Sequence, residues 1–287
     1  MVHLLGAALL WAFSFGLIGH RLAGLDASFV AAARLLVSVL VLLPFLRPAR
    51  APRALRLRLV GVGAVQYGLM YLFYVAAFRS LDSHEVALFT VLTPIYVALI
   101  DDVFEQRLRW LNLLTALITV LGTAIVAYGR VRHGQWLAGA LLVQASNLCF
   151  AFGQVAYRRW LGREVRDREV FAWLYLGGFA VAGLAAAALT DWRALGPSGT
   201  QLLVLGYLGA VASGLGFLLW NHGARRVDVG TLAVLNDLKI PLAVAVSLLF
   251  FGEQTRLWSL LLGGLLVLGA LLLSKLAFRA TAGSMTE

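Results

Sequence analysis

The sequence predicts an all-α integral membrane protein with ten transmembrane helices, arranged as two inverted five-helix repeats. Composition is the first reason: 61% of the 287 residues are hydrophobic, only 13% are charged, and the mean hydropathy is +0.86, whereas soluble domains carry about a quarter charged residues. The second is the number of apolar stretches long enough to cross a bilayer. The third is a cassette that occurs twice: Thr93-Pro94-Ile95-Tyr96-Val97, then Phe104-Glu105-Gln106 and Trp110, against Lys239-Ile240-Pro241-Leu242-Ala243-Val244, then Gly252-Glu253-Gln254 and Trp258. Upstream, Ala77-Phe78-Arg79-Ser80-Leu81-Asp82 matches Gly223-Ala224-Arg225-Arg226-Val227-Asp228. Two such copies separated by an odd number of spans lie upside down relative to each other, as in inverted-repeat secondary transporters.

A helix needs about 20 apolar residues to cross the hydrocarbon core. Ten stretches qualify, at about 3–20, 28–46, 59–78, 83–103, 109–128, 136–157, 170–190, 200–222, 229–251 and 257–277. Gly, Pro, Asp and Arg clusters separate them, as at Arg47-Pro48-Ala49-Arg50 and Asp191-Trp192-Arg193. Met1-Val2-His3 enters the first stretch with no basic leader, so that stretch reads as a retained span and not as a signal peptide. The linkers hold no soluble domain, and the two repeats occupy 1–130 and 136–278. Fainter echoes link Trp11-Ala12-Phe13-Ser14 with Phe150-Ala151-Phe152-Gly153, and Val120-Leu121-Gly122 with Val267-Leu268-Gly269. The second and seventh spans show no such echo.

Orientation follows the basic residues. With a cytoplasmic N-terminus, sixteen of the 24 Lys and Arg fall on the inner side, including Arg47 to Arg58, Arg158 to Arg168, Arg225, Arg226 and Lys275. Six fall outside, namely Arg21, Arg79, Arg130, Arg132, Arg193 and Arg256, and Arg34 and Lys239 lie within spans. The expectation is a multi-pass plasma membrane protein, in a bacterium the inner membrane, with both termini cytoplasmic. The net charge of +10 sits in the gaps between spans, so the basic residues meet the bilayer surface and not nucleic acid. Cys149 is the sole cysteine and the five histidines are scattered. No P-loop, metal-ligand spacing or nucleophile-base pairing is present, so the sequence predicts no cofactor, no metal and no enzymatic activity. The expected partners are a small solute and the lipid bilayer, and either a monomer or a homodimer fits.

Lys239 is the sharpest site candidate. It lies ten residues into the ninth span, about 15 Å deep at ~1.5 Å per residue, near the middle of a ~30 Å core. An ionisable group at that depth costs several kcal/mol unless it meets water or a partner; a structural ion pair with Asp237 or with a carboxylate on another span is the plainer alternative. Asn236 and Asp237 share its turn. Pro241 leaves the carbonyl of Asp237 without its helical donor, and Pro94 does the same for Thr90, with Thr93 alongside. The matched prolines make Pro94 and Pro241 candidate hinges, although membrane prolines also serve as packing kinks.

Tyr67, Tyr71, Tyr74 and Phe78 follow helical spacing on the third span, an aromatic face for substrate or for packing. A 146-residue offset places Ser213, Phe217 and Trp220 on the eighth, and Trp11 and Phe15 either extend the wall or face lipid. On the sixth span Gln144, Asn147, Gln154 and Arg158 fall within about 80° at about 100° per residue, pointing to substrate or to a neighbouring helix. His84 and Glu85 open the fourth span and are candidates for proton coupling. Arg34 reads as shallow enough to snorkel to the outer surface. Glu105 and Glu253 read as turn caps or contacts of basic loops, and Asn221 and His222 are further possible substrate contacts.

The ten spans, the glycine-punctuated tenth and the Pro…Glu cassettes together resemble the EamA family of the drug/metabolite transporter superfamily over nearly the whole chain. Tyr71-Leu72-Phe73-Tyr74-Val75-Ala76-Ala77-Phe78 and Val86-Ala87-Leu88-Phe89-Thr90-Val91-Leu92-Thr93-Pro94 are similar to first-half EamA patterns. Leu235-Asn236-Asp237-Leu238-Lys239-Ile240-Pro241 resembles the Asn-Lys-Leu-Pro motif of the superfamily's nucleotide-sugar transporters, which implies a central pocket position for Asn236 and Lys239. Here Asp237-Leu238 separates the Asn from the Lys, and the companion Phe-Tyr-Asn-Asn motif is absent. The resemblance implies an alternating-access carrier of a small polar or aromatic metabolite, an amino-acid-like solute being favoured, working as an exporter. A nucleotide-sugar or phosphorylated-metabolite antiporter is the alternative, and an intramembrane enzyme is the alternative from another class.

Overall fold

The computed structural model describes residues 2–106, 110, 134–161, 165–224, 226, 229–253, 258, 265 and 269, and within 229–241 only the side chains of Lys239 and Ile240. The expected spans at 109–128 and 257–277, the segment 130–133 that follows the first of them, and the side chains of Asn236, Asp237 and Pro241 fall outside the described residues, apart from isolated helical positions. Among the described residues the chain is entirely helical, with no strand. Among the described residues, seven helical stretches are long and apolar enough to cross a membrane: Val2–Arg21, Ala27–Phe45, Arg53–Ala77, Ser83–Phe104, Trp136–Trp160, Asp167–Leu189 and Gly199–Ala224.

The helices are α1 (Val2–Gly16), α2 (Ala27–Leu42), α3 (Arg53–Gly63), α4 (Met70–Ala77), α5 (Ser83–Phe89), α6 (Thr93–Phe104), α7 (Gly134–Trp160), α8 (Asp167–Leu189), α9 (Gly199–Tyr207), α10 (Gly216–Ala224) and α11 (Val229–Phe250). Their starts are written locally. Asp26 accepts the N–H groups of Ser28 and Phe29 at 3.0 Å to open α2, and Ser198 with Gln201 forms a capping box on α9. Such caps satisfy donors that lie beyond the helical ladder.

A π-helical segment, Ala64–Leu69, joins α3 to α4, and another, Leu208–Leu215, joins α9 to α10. The same departure from α geometry thus occurs within the Arg53–Ala77 and Gly199–Ala224 stretches. Packing follows the same pairing. α2 lies on the Leu208–Leu215 segment, α8 lies on the Ala64–Leu69 segment, and α2 and α8 pack on each other. The Ala27–Phe45 and Asp167–Leu189 stretches therefore each meet the π segment of the other's neighbour, despite their dissimilar sequences. Lipid offers no hydrophobic drive between helices, so close approach depends on small residues. At Gly63 a Cβ would run into the Leu174 carbonyl, and at Gly177 into the Val60 carbonyl. Backbone therefore meets backbone between α3 and α8.

The two proline copies differ. The fourth span breaks into α5, a 3-10 turn at Thr90–Leu92 and α6, with Pro94 in the first turn of α6. α11 instead runs as unbroken α-helix past Pro241.

Candidate functional site

The middle of the bundle holds a cavity where α1, α2, α4, the Thr90–Leu92 turn, α6, α7, α10 and α11 converge. Its walls begin with Trp11. The indole N–H of Trp11 donates to the Ala212 carbonyl at 2.9 Å. The Tyr175 hydroxyl donates to the Ser213 carbonyl at 2.7 Å, and the Ser38 hydroxyl lies 2.7 Å from the Gly209 carbonyl. These carbonyls belong to the π segment, whose i→i+5 ladder meets neighbours less regularly than an α-helix. Side chains from three other helices satisfy them, as an interior without water requires.

Four groups predicted for the site line the cavity with Trp11 and Phe15: Tyr71, Tyr74, Thr93 and Asn147. The Thr93 hydroxyl donates to the Thr90 carbonyl at 2.6 Å, so the acceptor released by Pro94 is taken up by the neighbouring side chain. The Asn147 amide donates to the Phe89 carbonyl at 2.9 Å and to Gln144 Oε1 at 3.1 Å. Lys239 also faces the cavity, 7% exposed, with Nζ 5.4 Å from the Trp11 ring centroid and 5.9 Å from that of Phe150. Ammonium over an aromatic face is attractive, more so when dry.

Other expected contacts sit elsewhere. Tyr67 is fully buried and stacks on Tyr175 at 4.6 Å, away from the cavity wall. Its place in the π segment alters the helical phase that the spacing of Tyr67, Tyr71 and Tyr74 assumes. Trp220 lies behind Trp11 at 5.1 Å. Gln144 supports Asn147 and accepts from the Tyr96 hydroxyl at 3.2 Å, and Gln154 is buried outside the lining. Asn221 donates to the Phe217 carbonyl at 3.0 Å and reaches the Tyr67 hydroxyl at 3.4 Å.

Arg34 corrects the expectation of snorkelling. It is 2% exposed and lines the cavity with Lys239. Nη2 donates to Ser213 Oγ at 3.0 Å and to the Tyr71 hydroxyl at 3.2 Å, and the guanidinium lies 4.4 Å from the Tyr71 ring centroid. The sequence held one signal: Arg34 and Ser38 lie four apart, on one face of an otherwise apolar span.

The two ends of the bundle contrast. At one, Glu253 accepts the backbone N–H groups of Ser83 and His84, each at 3.0 Å, and contacts His84 Nδ1 at 2.6 Å and His20 Nε2 at 2.7 Å. Burial alone would raise the Glu253 carboxyl, but hydrogen bonds from His84, its backbone, His20 and Ser83 hold it at about 2. Glu85 accepts the Asp82 N–H at 2.9 Å and the Trp136 indole N–H at 3.4 Å. Asp82, His84 and Glu85 bring ligand-type atoms within 4.8 Å of one another, yet Glu85 serves the helix cap and His84 serves Glu253. At the opposite end a cavity of about 810 Å³ is lined by Arg158, Arg166, Arg168, Arg226, His3 and His222. The central cavity measures only about 80 Å³. Sites for small organic ligands span ~300–1,000 Å³, several times the volume of the centre.

The profile of the EamA-like transporter family matches residues 1–128 and 137–275. A biotin transporter from Salmonella typhimurium is 41% identical over 278 residues, covering 94% of this chain and 91% of that one. A probable terminal-alkyne amino-acid exporter from Streptantibioticus cattleyicolor is 25% identical, covering 92% and 90%. A solved crystal structure shares the fold with a TM-score of 0.70 at 21% identity, covering 98% of this chain and 97% of that one. The chain belongs to the EamA-like transporter family of the drug/metabolite transporter superfamily, and is a multi-pass membrane transporter of small molecules and not an enzyme.

Proposed function

We propose that this transporter carries biotin through the central cavity by alternating access. The observation that carries the reading is the chemistry of the lining. Two cations, Arg34 and Lys239, stand among aromatic rings and neutral polar groups, with no Asp or Glu among the described lining residues. Biotin combines one carboxylate, a short aliphatic chain and a flat, hydrogen-bonding ureido ring, and the substrate named for the 41% identical relative adds support. In this reading Tyr71, Tyr74, Thr93, Asn147 and Lys239 contact substrate, and Asn236 and Asp237, which precede Lys239 in the sequence, are proposed to join them. The halves 1–130 and 136–278 rock against each other about Pro94 and Pro241. The arginine-lined end faces the cytoplasm with both termini, in accord with the basic residues. The Glu253 end is then closed and the cytoplasmic end open, and His84 and Glu85 couple closure to protons.

Counterflow of radiolabelled biotin into proteoliposomes preloaded with unlabelled biotin tests this. Saturable exchange is expected, and absence of exchange at millimolar biotin overturns the substrate. Phenylalanine belongs in the same assay, because the aromatic lining and the amino-acid exporter among the relatives favour it as the second substrate. Initial rates in intact cells against everted vesicles assign the direction of net flux.

A further inference from the structure

We propose that Arg34 is the group that binds the carboxylate of the transported solute and so sets the charge of what this protein accepts. The inference rests on the carrier reading above and names the substrate class of the same cavity.

Burial and hydrogen bonding single out Arg34. Its Nη2 is engaged by the Tyr71 hydroxyl and Ser213 Oγ, both neutral. Nε and Nη1 are buried and have no hydrogen-bond partner, leaving three N–H donors of a charged group unmet. No carboxylate pairs with Arg34 among the described residues. A lone buried ion is costly, and the cost is relieved only by an opposite charge with matching hydrogen bonds. Lysine can shed its proton in a dry site, whereas a guanidinium keeps its charge. The standing need for an anion therefore falls on Arg34.

Arg34 is also held where a ligand can reach it. Tyr71 and Ser213 come from the third and eighth spans and sit 2.8 Å apart at hydroxyl and Oγ, so the guanidinium is clamped between the two halves of the chain. One turn on, the Ser38 hydroxyl lies 2.7 Å from the Gly209 carbonyl, which ties α2 to the Leu208–Leu215 segment beside Arg34. A cavity of about 80 Å³ accommodates a carboxylate head before the rest of the solute is enclosed. The solute then enters with its charge towards Arg34, and its ring extends along the aromatic wall formed by Trp11 and Tyr74.

The test uses purified protein and paired ligands, biotin against biotinamide, with thermal stability and counterflow as readouts. Wild type is expected to bind biotin about 10- to 100-fold more tightly than biotinamide, the range for hydrogen bonds to a charged group. In Arg34→Gln that preference falls to near unity, while biotinamide binding stays within about twofold. Lys239→Gln retains the preference. Equal binding of the two ligands by wild type, or an undiminished preference in Arg34→Gln, overturns the proposal. If neither ligand binds, biotin is the wrong solute, and small carboxylates decide the matter independently. Benzoate and acetate at fixed ionic strength should raise the melting temperature of wild type above chloride and leave Arg34→Gln unchanged; no shift in wild type overturns the anion site. If Arg34→Gln does not fold, Lys239→Gln decides: loss of the preference for biotin in that variant overturns the assignment to Arg34.

Discussion

Glu253 and Glu105 hold the same place in the two repeated cassettes, yet they live in different surroundings. The Glu253 side chain is 5% exposed and gathers four donors from α5, His84 and His20. Glu105 is 38% exposed and touches Arg159 at 3.3 Å, beside Asp101 at 2.6 Å from the same guanidinium. The backbone explains part of the difference. A left-handed residue follows the glutamate in the first copy, Gln106 at φ 54°, and precedes it in the second, Gly252 at φ 66°. The carboxylates consequently leave the turn in different directions. Two similar sequence elements thus make a buried carboxylate cluster in one place and a solvated ion pair in the other, the asymmetry that the proposed one-side-open carrier calls for.

The strongest way to break this contrast is Glu253→Ala. Removing the acceptor strands the buried His84 side chain and two backbone donors, at a cost of about 2–4 kcal/mol. The expected result is a clear fall in apparent melting temperature and faster alkylation of a cysteine placed at Ser14 from the Glu253 side. Unchanged alkylation would show that the closure lies elsewhere.

Next in size is the proline comparison. Pro94→Ala should let α5 and α6 merge and compete with Thr93 for the Thr90 carbonyl, slowing turnover by about tenfold, near 1.4 kcal/mol of barrier. Pro241→Ala should act less, because α11 is already continuous. Stopped-flow efflux rates rank the two, and the reverse ranking would remove Pro94 as the principal hinge.

Acid should have a milder effect. The Glu253 carboxyl is depressed from an ordinary 4.5 to about 2, so its contribution is complete above about pH 4.5 and is lost as pH falls towards 2. Accessibility at the Glu253 end should rise through that window in wild type. In Glu253→Gln the corresponding change should be absent.

Arg159→Ala should do least. The pair with Asp101 is 31% and 40% exposed, and such pairs contribute below ~1 kcal/mol. A melting temperature within about 2 °C of wild type is expected. A larger fall would make the two ends more alike than their exposures indicate.

Much of the centre was legible because depth in a membrane span is a count of residues. That count put Lys239 near mid-span, and helical spacing put Tyr71 and Tyr74 on one face; Asn147 and Thr93 followed from polarity in apolar spans. Tyr67 was misplaced because a π segment changes the angle per residue, and nothing in Ala64–Leu69 announces it. Gln154 and Trp220 show the other limit: periodicity identifies a face but not the neighbour it meets. Arg34 was misread by assigning it a route to the surface when α2 turns it inward. The grip of Glu253 on Ser83 and His84 joins residues about 170 apart in sequence, a distance across which local pattern carries no information.

The glycines between α3 and α8 bear on how force is transmitted. With Gly63 and Gly177 each facing a carbonyl of the opposite helix, no side chain stands between the backbones at those two points. These two helices can only move together, as a splint. Any mechanical model of the transport cycle must therefore place its joints outside that pair, and an alanine at either glycine would push the splint apart before it touched the cavity.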